Sequence, residues 1–266
     1  MDEYQIENMD KFKYLLYIDI LGFSDIANSN YPIINKLFSV IDTLNAHNDP
    51  EFQTIVFSDT ILIFSQVTPV TTKDHETHVM FCCEFAQDLT YKCKDLNIQF
   101  RAILTYEEFY YQKLSNIEAY HGKALINAYK KEKEITGIGL YIDKKIANRN
   151  KIFPSTSFDD DLNFVFLLKD FERFKDIKDS EFPIPSELID HAYWGIGIKE
   201  AVQILKRIKD GIEMQNDSRI RSKYLQTYYF YKTRYKSLIE HLEKSDFDYT
   251  IISPQADWSK VESLLF

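Results

Sequence analysis

Asp19 and Asp59 are the residues whose types and settings most readily do chemistry. Asp19 closes the continuous apolar run Tyr14 to Asp19 (YLLYID), and Asp59 lies in Ser58-Asp59-Thr60 between two short β-rich runs. A carboxylate at the end of a buried strand and a second on an adjacent hairpin can jointly hold two Mg²⁺ ions. Gly22 follows at once and lets backbone approach a ligand, and amides after it, at the start of a helix, can cradle phosphate oxygens. Metal-assisted chemistry at a phosphate is the reaction class these groups serve. One metal lowers the pKa of a ribose 3′-hydroxyl, and the other neutralises charge on a triphosphate and its leaving pyrophosphate.

The elements that must position them follow from periodicity. Tyr14 to Asp19 reads as a strand buried on both faces. Ile33, Ile34, Leu37, Phe38, Ile41 and Leu44 recur at helical spacing and stop near Asn48-Asp49-Pro50. Phe52 to Phe57 and Ile61 to Phe64 are joined so closely that they form a hairpin with Asp59 at its tip. From about His75 to Leu96 the pattern is helical again, and Ile98 to Thr105 returns to a strand. The order β-α-β-β-α-β predicts an α+β fold, a ferredoxin-like antiparallel sheet with helices on one face. A loop around Ser115 to Tyr120 precedes a helix opened by Gly122, and Gly137 to Ile142 and Phe164 to Leu168 read as further strands. Past Pro183 and Pro185, Ser186 to Gly211 and Ser218 to Leu242 read as two long helices joined by a polar turn. The expected division is a catalytic domain over residues 1–180 and a C-terminal helical region over 181–266.

Composition narrows the class. The 266 residues carry a net charge of −9, which speaks against nucleic-acid binding by general electrostatics. An acidic protein that handles a nucleotide can offset its own charge with divalent ions. No apolar run approaches the roughly 20 residues that span a bilayer, and the start lacks a basic segment followed by an apolar one. A cytoplasmic protein without a membrane segment is expected, with disorder confined to the first ten residues or so. Cys82, Cys83 and Cys93 fall on one helix and suit buried thiols in a reducing compartment.

Asp19-Ile20-Leu21-Gly22-Phe23-Ser24, followed by Phe57-Ser58-Asp59, resembles the class III nucleotidyl cyclase domain. In that family the first Asp, the carbonyl after it and the hairpin Asp bind two metals, Mg²⁺ or Mn²⁺, which here implies Asp19, Ile20 and Asp59. The amides implied to hold the triphosphate are those of Phe23 and Ser24. Phe100-Arg101-Ala102-Ile103 matches the family's fourth-strand segment, and Gly122 to Glu132 aligns with the helix bearing its transition-state Asn and Arg. Those two positions are Ile126 and Lys130, so a shorter cation replaces the Arg and the Asn is missing, with Asn127 one position on. Lys130 also lies in a Lys-rich run with Lys131 and Lys133, where a solvated face is the commoner explanation. The base-selecting position aligns with Ile55, which cannot read a base by hydrogen bonds. IDILGF, FSDT, FRAI and the G-x-A-L-x-x-A-Y-x-x-E helix, in that order, are most similar to the bacterial pyrimidine cyclases of anti-phage defence. The resemblance spans roughly residues 14 to 145. It implies a nucleoside triphosphate substrate, UTP or CTP, cyclised to a 3′,5′-cyclic monophosphate, and a homodimer with its site between subunits. A cyclase-like binding module without turnover is the alternative.

Other features have plainer readings. Arg101 is expected to form a structural ion pair as readily as a substrate contact. His75 and His78 are three apart, short of the four-residue zinc-helix spacing, and read as a solvated helix start. Tyr224, Tyr228, Tyr231 and Tyr235 form a stripe expected in a core or a subunit interface, with nucleic-acid stacking a minority reading.

Overall fold

The computed structural model describes residues 11–44, 49–189 and 192–259. These form two compact units, Met1–Leu167 and Leu168–Phe266. The disorder expected of the first ten residues lies outside the described stretch.

The first unit is built on a seven-stranded sheet. Its strands are β1 (Phe12–Ile20), β2 (Phe52–Phe57), β3 (Thr60–Ser65), β4 (Phe100–Glu108), β7 (Gly139–Asp143), β8 (Ser155–Ser157) and β9 (Leu162–Val165). Their order is β2-β3-β1-β4-β7-β9-β8, antiparallel except for the β4–β7 pair. The first four strands, in the order β2-β3-β1-β4, are the antiparallel ferredoxin-like arrangement that the alternation of runs predicts.

Strand alternation assigns two faces. Tyr14, Leu16, Ile18 and Ile20 of β1 share one with Ile61, Ile63, Ala102 and Leu104. That face is covered by α2 (Tyr31–Asp42) and α3 (Thr72–Lys92), after a short α1 (Phe23–Ser29). Leu37 and Ile41 of α2 and Val79, Cys82, Phe85, Ala86 and Leu89 of α3 complete the core. Burial explains α3's unbroken length: a capping box at Thr71 and Asp74 starts it, and its apolar residues return every three or four positions. All three thiols are free and buried, and burial raises them, Cys93 to about 12.

The other face carries Leu15, Tyr17 and Asp19. Across the ladders Tyr17 opposes Leu62 and Ile103, and Asp19 opposes Thr60 and Arg101. Part of this face is covered by α4 (Lys123–Glu134), which packs on β1 and β4 through Ala124, Ala128 and Glu132. Between β4 and α4 the chain makes a small hairpin, β5 (Tyr110–Lys113) and β6 (Glu118–His121), where sequence predicted only a loop. Its strands are mostly exposed and polar, so no apolar alternation announces them. A short α5 (Lys144–Ala147) follows β7.

The second unit contains α6 (Ala192–Met214), α7 (Ser218–Arg234) and α8 (Lys236–Lys244). It begins earlier than residue 181 because Glu172 accepts from Arg234 at 3.0 and 2.6 Å and from the Tyr235 hydroxyl at 3.0 Å. Phe171 also meets the Tyr235 ring. The single helix expected over Ser218 to Leu242 is two, broken at Tyr235, which leaves helical geometry (φ −115, ψ 46) with its ring fully buried. Tyr228, Tyr231 and Tyr235 are core residues of this unit, as their spacing predicts. Among the described residues no helix is long and apolar enough to cross a membrane.

Candidate functional site

β1 delivers Asp19 one residue before the strand ends, and the β2–β3 hairpin delivers Asp59 beside it. The Ile20 amide donates to the Asp59 carbonyl at 2.8 Å, while the next amide, Leu21, donates to Gln99 at 2.9 Å. The chain that carries Asp19 is therefore pinned on both sides as it leaves the sheet. Ser58 makes the hairpin turn with φ 58, a left-handed conformation more natural to glycine. This turn, between the exposed Phe57 and Asp59, places Asp59 directly before Thr60, the residue opposite Asp19.

The two carboxylates differ in their commitments. Among the described residues Asp59 makes no side-chain hydrogen bond or ion pair, whereas Asp19 Oδ2 lies 3.1 Å from Arg101 Nη2. That same Nη2 meets the carboxylate of Glu132, and Arg101 Nη1 donates to the carbonyls of Glu132 and Ile135 at 3.1 and 3.2 Å. The Arg101 and Glu132 side chains are 11% and 7% exposed, Asp19 20%. Arg101 is thus an ion-pair residue at the centre of the site. Tyr17 reports the local charge: burial raises its hydroxyl, a hydrogen bond with Thr60 opposes that, and Asp19, Glu132 and Asp59 each raise it further.

Glu132 is the member that sequence reasoning missed. The signal was present, since Ala124, Ala128 and Glu132 are spaced by four on one helix face. A carboxylate on the buried phase of a helix requires a partner, and Arg101 is the cation on the facing strand.

Gly22, at φ 70, turns the chain from β1 into α1 and acts as its N-cap without a side-chain bond. Helix geometry leaves the amides of Phe23 and Ser24 without intrahelical acceptors. Asp25 stands in the same first turn. Ile55 is half-buried on β2, opposite Leu62, and so shares the sheet face of Tyr17 and Asp19.

Lys130 is not brought to this cluster. Ala124, Ala128 and Glu132 point to the sheet, and Ile126 and Lys130 lie on the opposite side of α4. Ile126 is 54% exposed, and Lys130 is exposed too. Asn127 donates to Glu107 at 2.7 Å.

The His75 and His78 pair is not a solvated helix start. His78 is buried, with Nε2 2.9 Å from Glu51, and His75 Nδ1 lies 2.8 Å from the Tyr14 hydroxyl and 2.9 Å from Arg149. Both rings are held because Tyr14 and Phe52, at the sheet end remote from Asp19, pack edge-on against them.

The donor chemistry suits a hard divalent cation: an uncommitted carboxylate, one oxygen of a second, and a strand-end carbonyl. Among the described residues no group of three or more His, Cys, Asp or Glu side chains is arranged to hold a metal. A site here therefore draws on backbone and on a substrate's own oxygens, as phosphate-bound Mg²⁺ sites do.

No protein-family model and no curated protein matches the sequence. Several solved structures are similar in part. One is a double mutant of the guanylyl cyclase domain of the RhoGC fusion protein from the aquatic fungus Blastocladiella emersonii (TM-score 0.47, 18% identity, 59% of this chain and 94% of that one). Another is the adenylyl cyclase CyaB from P. aeruginosa (0.45, 11%, 59% and 94%). A third is the guanylate cyclase domain of RhGC from Catenaria anguillulae in complex with GTP (0.46, 14%, 59% and 97%). At these identities and TM-scores the likenesses assign neither activity nor substrate to this chain.

Proposed function

We propose that this protein is a nucleotidyl cyclase that converts a nucleoside triphosphate, UTP or CTP, to its 3′,5′-cyclic monophosphate and pyrophosphate. The observation that carries the reading is the junction of Asp19 and Asp59. Two carboxylates stand at neighbouring strand ends, tied by the Ile20 to Asp59 backbone bond, with Asp59 uncommitted. Asp19, the Ile20 carbonyl and Asp59 would hold two Mg²⁺ or Mn²⁺ ions. When bound, these supply acidification of the ribose 3′-hydroxyl and screening of the triphosphate.

The chain's own groups then orient the substrate. Phe23 and Ser24 amides offer donors to phosphate oxygens just beyond the turn at Gly22. Held in line, the 3′-oxygen would bond to the α-phosphorus as the bond to pyrophosphate breaks, with the hydroxyl proton passing to solvent water. The sequence resemblance implies a homodimer with its site between subunits, and there Lys130, exposed on the outer side of α4, would offset developing charge. Ile55 offers an apolar wall with no hydrogen-bonding group, which speaks against the base reading of an ordinary adenylyl or guanylyl cyclase. The product would act as a second messenger in anti-phage defence, as the sequence resemblance implies.

Incubation with each of the four nucleoside triphosphates and Mn²⁺ tests this. A cyclic pyrimidine product from the wild type and none from Asp59→Ala is expected. No cyclic product from any triphosphate, or undiminished turnover in Asp59→Ala, would refute it.

A second reading is favoured by one observation, the hold of Arg101 on Asp19. A cyclase-like domain whose first carboxylate is already paired could bind nucleotide without turning it over. Calorimetry showing tight, metal-dependent nucleotide binding with no product would select this reading.

A further inference from the structure

We infer that Arg101 is a built-in placeholder cation at Asp19, and that Glu132 is the positioning residue that takes up its charge when a divalent ion arrives. The inference rests on the metal-site reading above and goes beyond it to the regulation of that site.

The geometry divides the guanidinium's work. Nη1 is engaged by the carbonyls of Glu132 and Ile135, at 3.1 and 3.2 Å, which end α4. This half stays with the helix whatever happens at Asp19. Nη2 is shared between two carboxylates, that of Glu132 and that of Asp19 at 3.1 Å. Nε is buried without a partner, so no third group holds the fork toward Asp19. Asp19 Oδ2 is therefore the acceptor most easily given up.

Charge favours the exchange. Arg101 is the guanidinium in contact with both Asp19 and Glu132. A divalent ion entering between Asp19 and Asp59 meets one positive neighbour, and repulsion is relieved if Nη2 is drawn fully onto Glu132. Without a buried anion on the far side the guanidinium has nowhere to go, since an unpaired buried charge is costly. Glu132 thus sets how readily Asp19 becomes available.

Two variants separate this from a structural ion pair, because they should move metal affinity in opposite directions. In Glu132→Gln the guanidinium leans on Asp19 alone. In the double variant Arg101→Gln/Glu132→Gln both charges are gone and Asp19 is free. An adjacent charge changes a carboxylate's affinity for a proton by about tenfold or more, and a comparable effect is expected on Mn²⁺. Mn²⁺ binding is measured by calorimetry or by loss of the free-ion electron paramagnetic resonance signal. Circular dichroism confirms that each variant is folded, and Asp59→Asn reports binding at this site. About tenfold weaker binding in Glu132→Gln with about tenfold tighter binding in the double variant is the expected pattern. Mn²⁺ bound by the double variant and not by the wild type supports the placeholder in its strongest form. Equal affinities, or shifts in the same direction, would overturn it, and where Asp59→Asn still abolishes binding the metal-site reading survives. No Mn²⁺ bound by either the wild type or the folded double variant overturns both.

Discussion

Arg101 Nη2 lies 3.1 Å from Asp19 Oδ2 and also meets Glu132, so the most chemically promising strand end is joined to the end of α4 by one guanidinium. Both partners of the inner pair are nearly buried, which makes the pair costly to break from one side. Arg101→Leu should destabilise the protein by about 3–5 kcal/mol by stranding Glu132. Arg101→Leu/Glu132→Leu should recover more than half of that loss. Urea midpoints of the three proteins decide it, and equal losses in single and double variants would contradict it.

Asp59 presents the opposite case. Its carboxylate has no partner among the described residues, so Asp59→Ala should change folding stability by no more than about 0.5 kcal/mol. The same substitution should abolish Mn²⁺-dependent nucleotide binding. A large loss of stability would mean that the carboxylate is structural.

Backbone conformation gives a paired expectation. Ser58 at φ 58 is a side-chain residue where glycine is at ease, and Gly22 at φ 70 is glycine where a side chain would be strained although nothing lies within 4 Å of an added Cβ. Ser58→Gly should stabilise by roughly 0.5–1 kcal/mol and Gly22→Ala should destabilise by about 1 kcal/mol. Thermal denaturation of both variants reads the two signs, and like signs would contradict the assignment.

The sheet was legible because Tyr14 to Asp19 is an apolar run ended by a carboxylate and Phe52 to Phe64 allows only a hairpin around Asp59. Both features are local, and local patterns survive in sequence. Pairings across the fold do not. Arg101 and Asp19 are 82 positions apart, and their register across β1 and β4 is visible only once the strands are aligned. Glu132 could have been found by asking what a carboxylate does on the buried phase of a helix. The break at Tyr235 had no sequence signal, since the periodicity of tyrosines runs through it. The residue at the break is held by a tertiary contact, the Tyr235 hydroxyl on Glu172. His78 looked solvated because its neighbours are polar, but α3 turns that position toward Phe52.

His75 supplies a pH dependence. Burial first, and then the Arg149 guanidinium, lower its pKa from 6.5 in the folded protein. The unfolded chain therefore binds the proton more readily, so this group's contribution is complete above the unfolded value. It is lost as pH falls from there down through the folded pKa. The fall in urea midpoint between pH 7.5 and 5.5 should be smaller in His75→Gln than in the wild type. An equal or larger fall would contradict the assignment.

Asp19 and Asp59 are proposed to form one metal-dependent phosphate site that cyclises a nucleotide. Mass spectrometry of a reaction holding all four nucleoside triphosphates and Mn²⁺ tests it most directly, run on the wild type and on Asp59→Ala. The expected result is a cyclic UMP or cyclic CMP peak from the wild type that is absent from the variant and from the metal-free control. Four unchanged triphosphates after prolonged incubation, or identical products from Asp59→Ala, would contradict it.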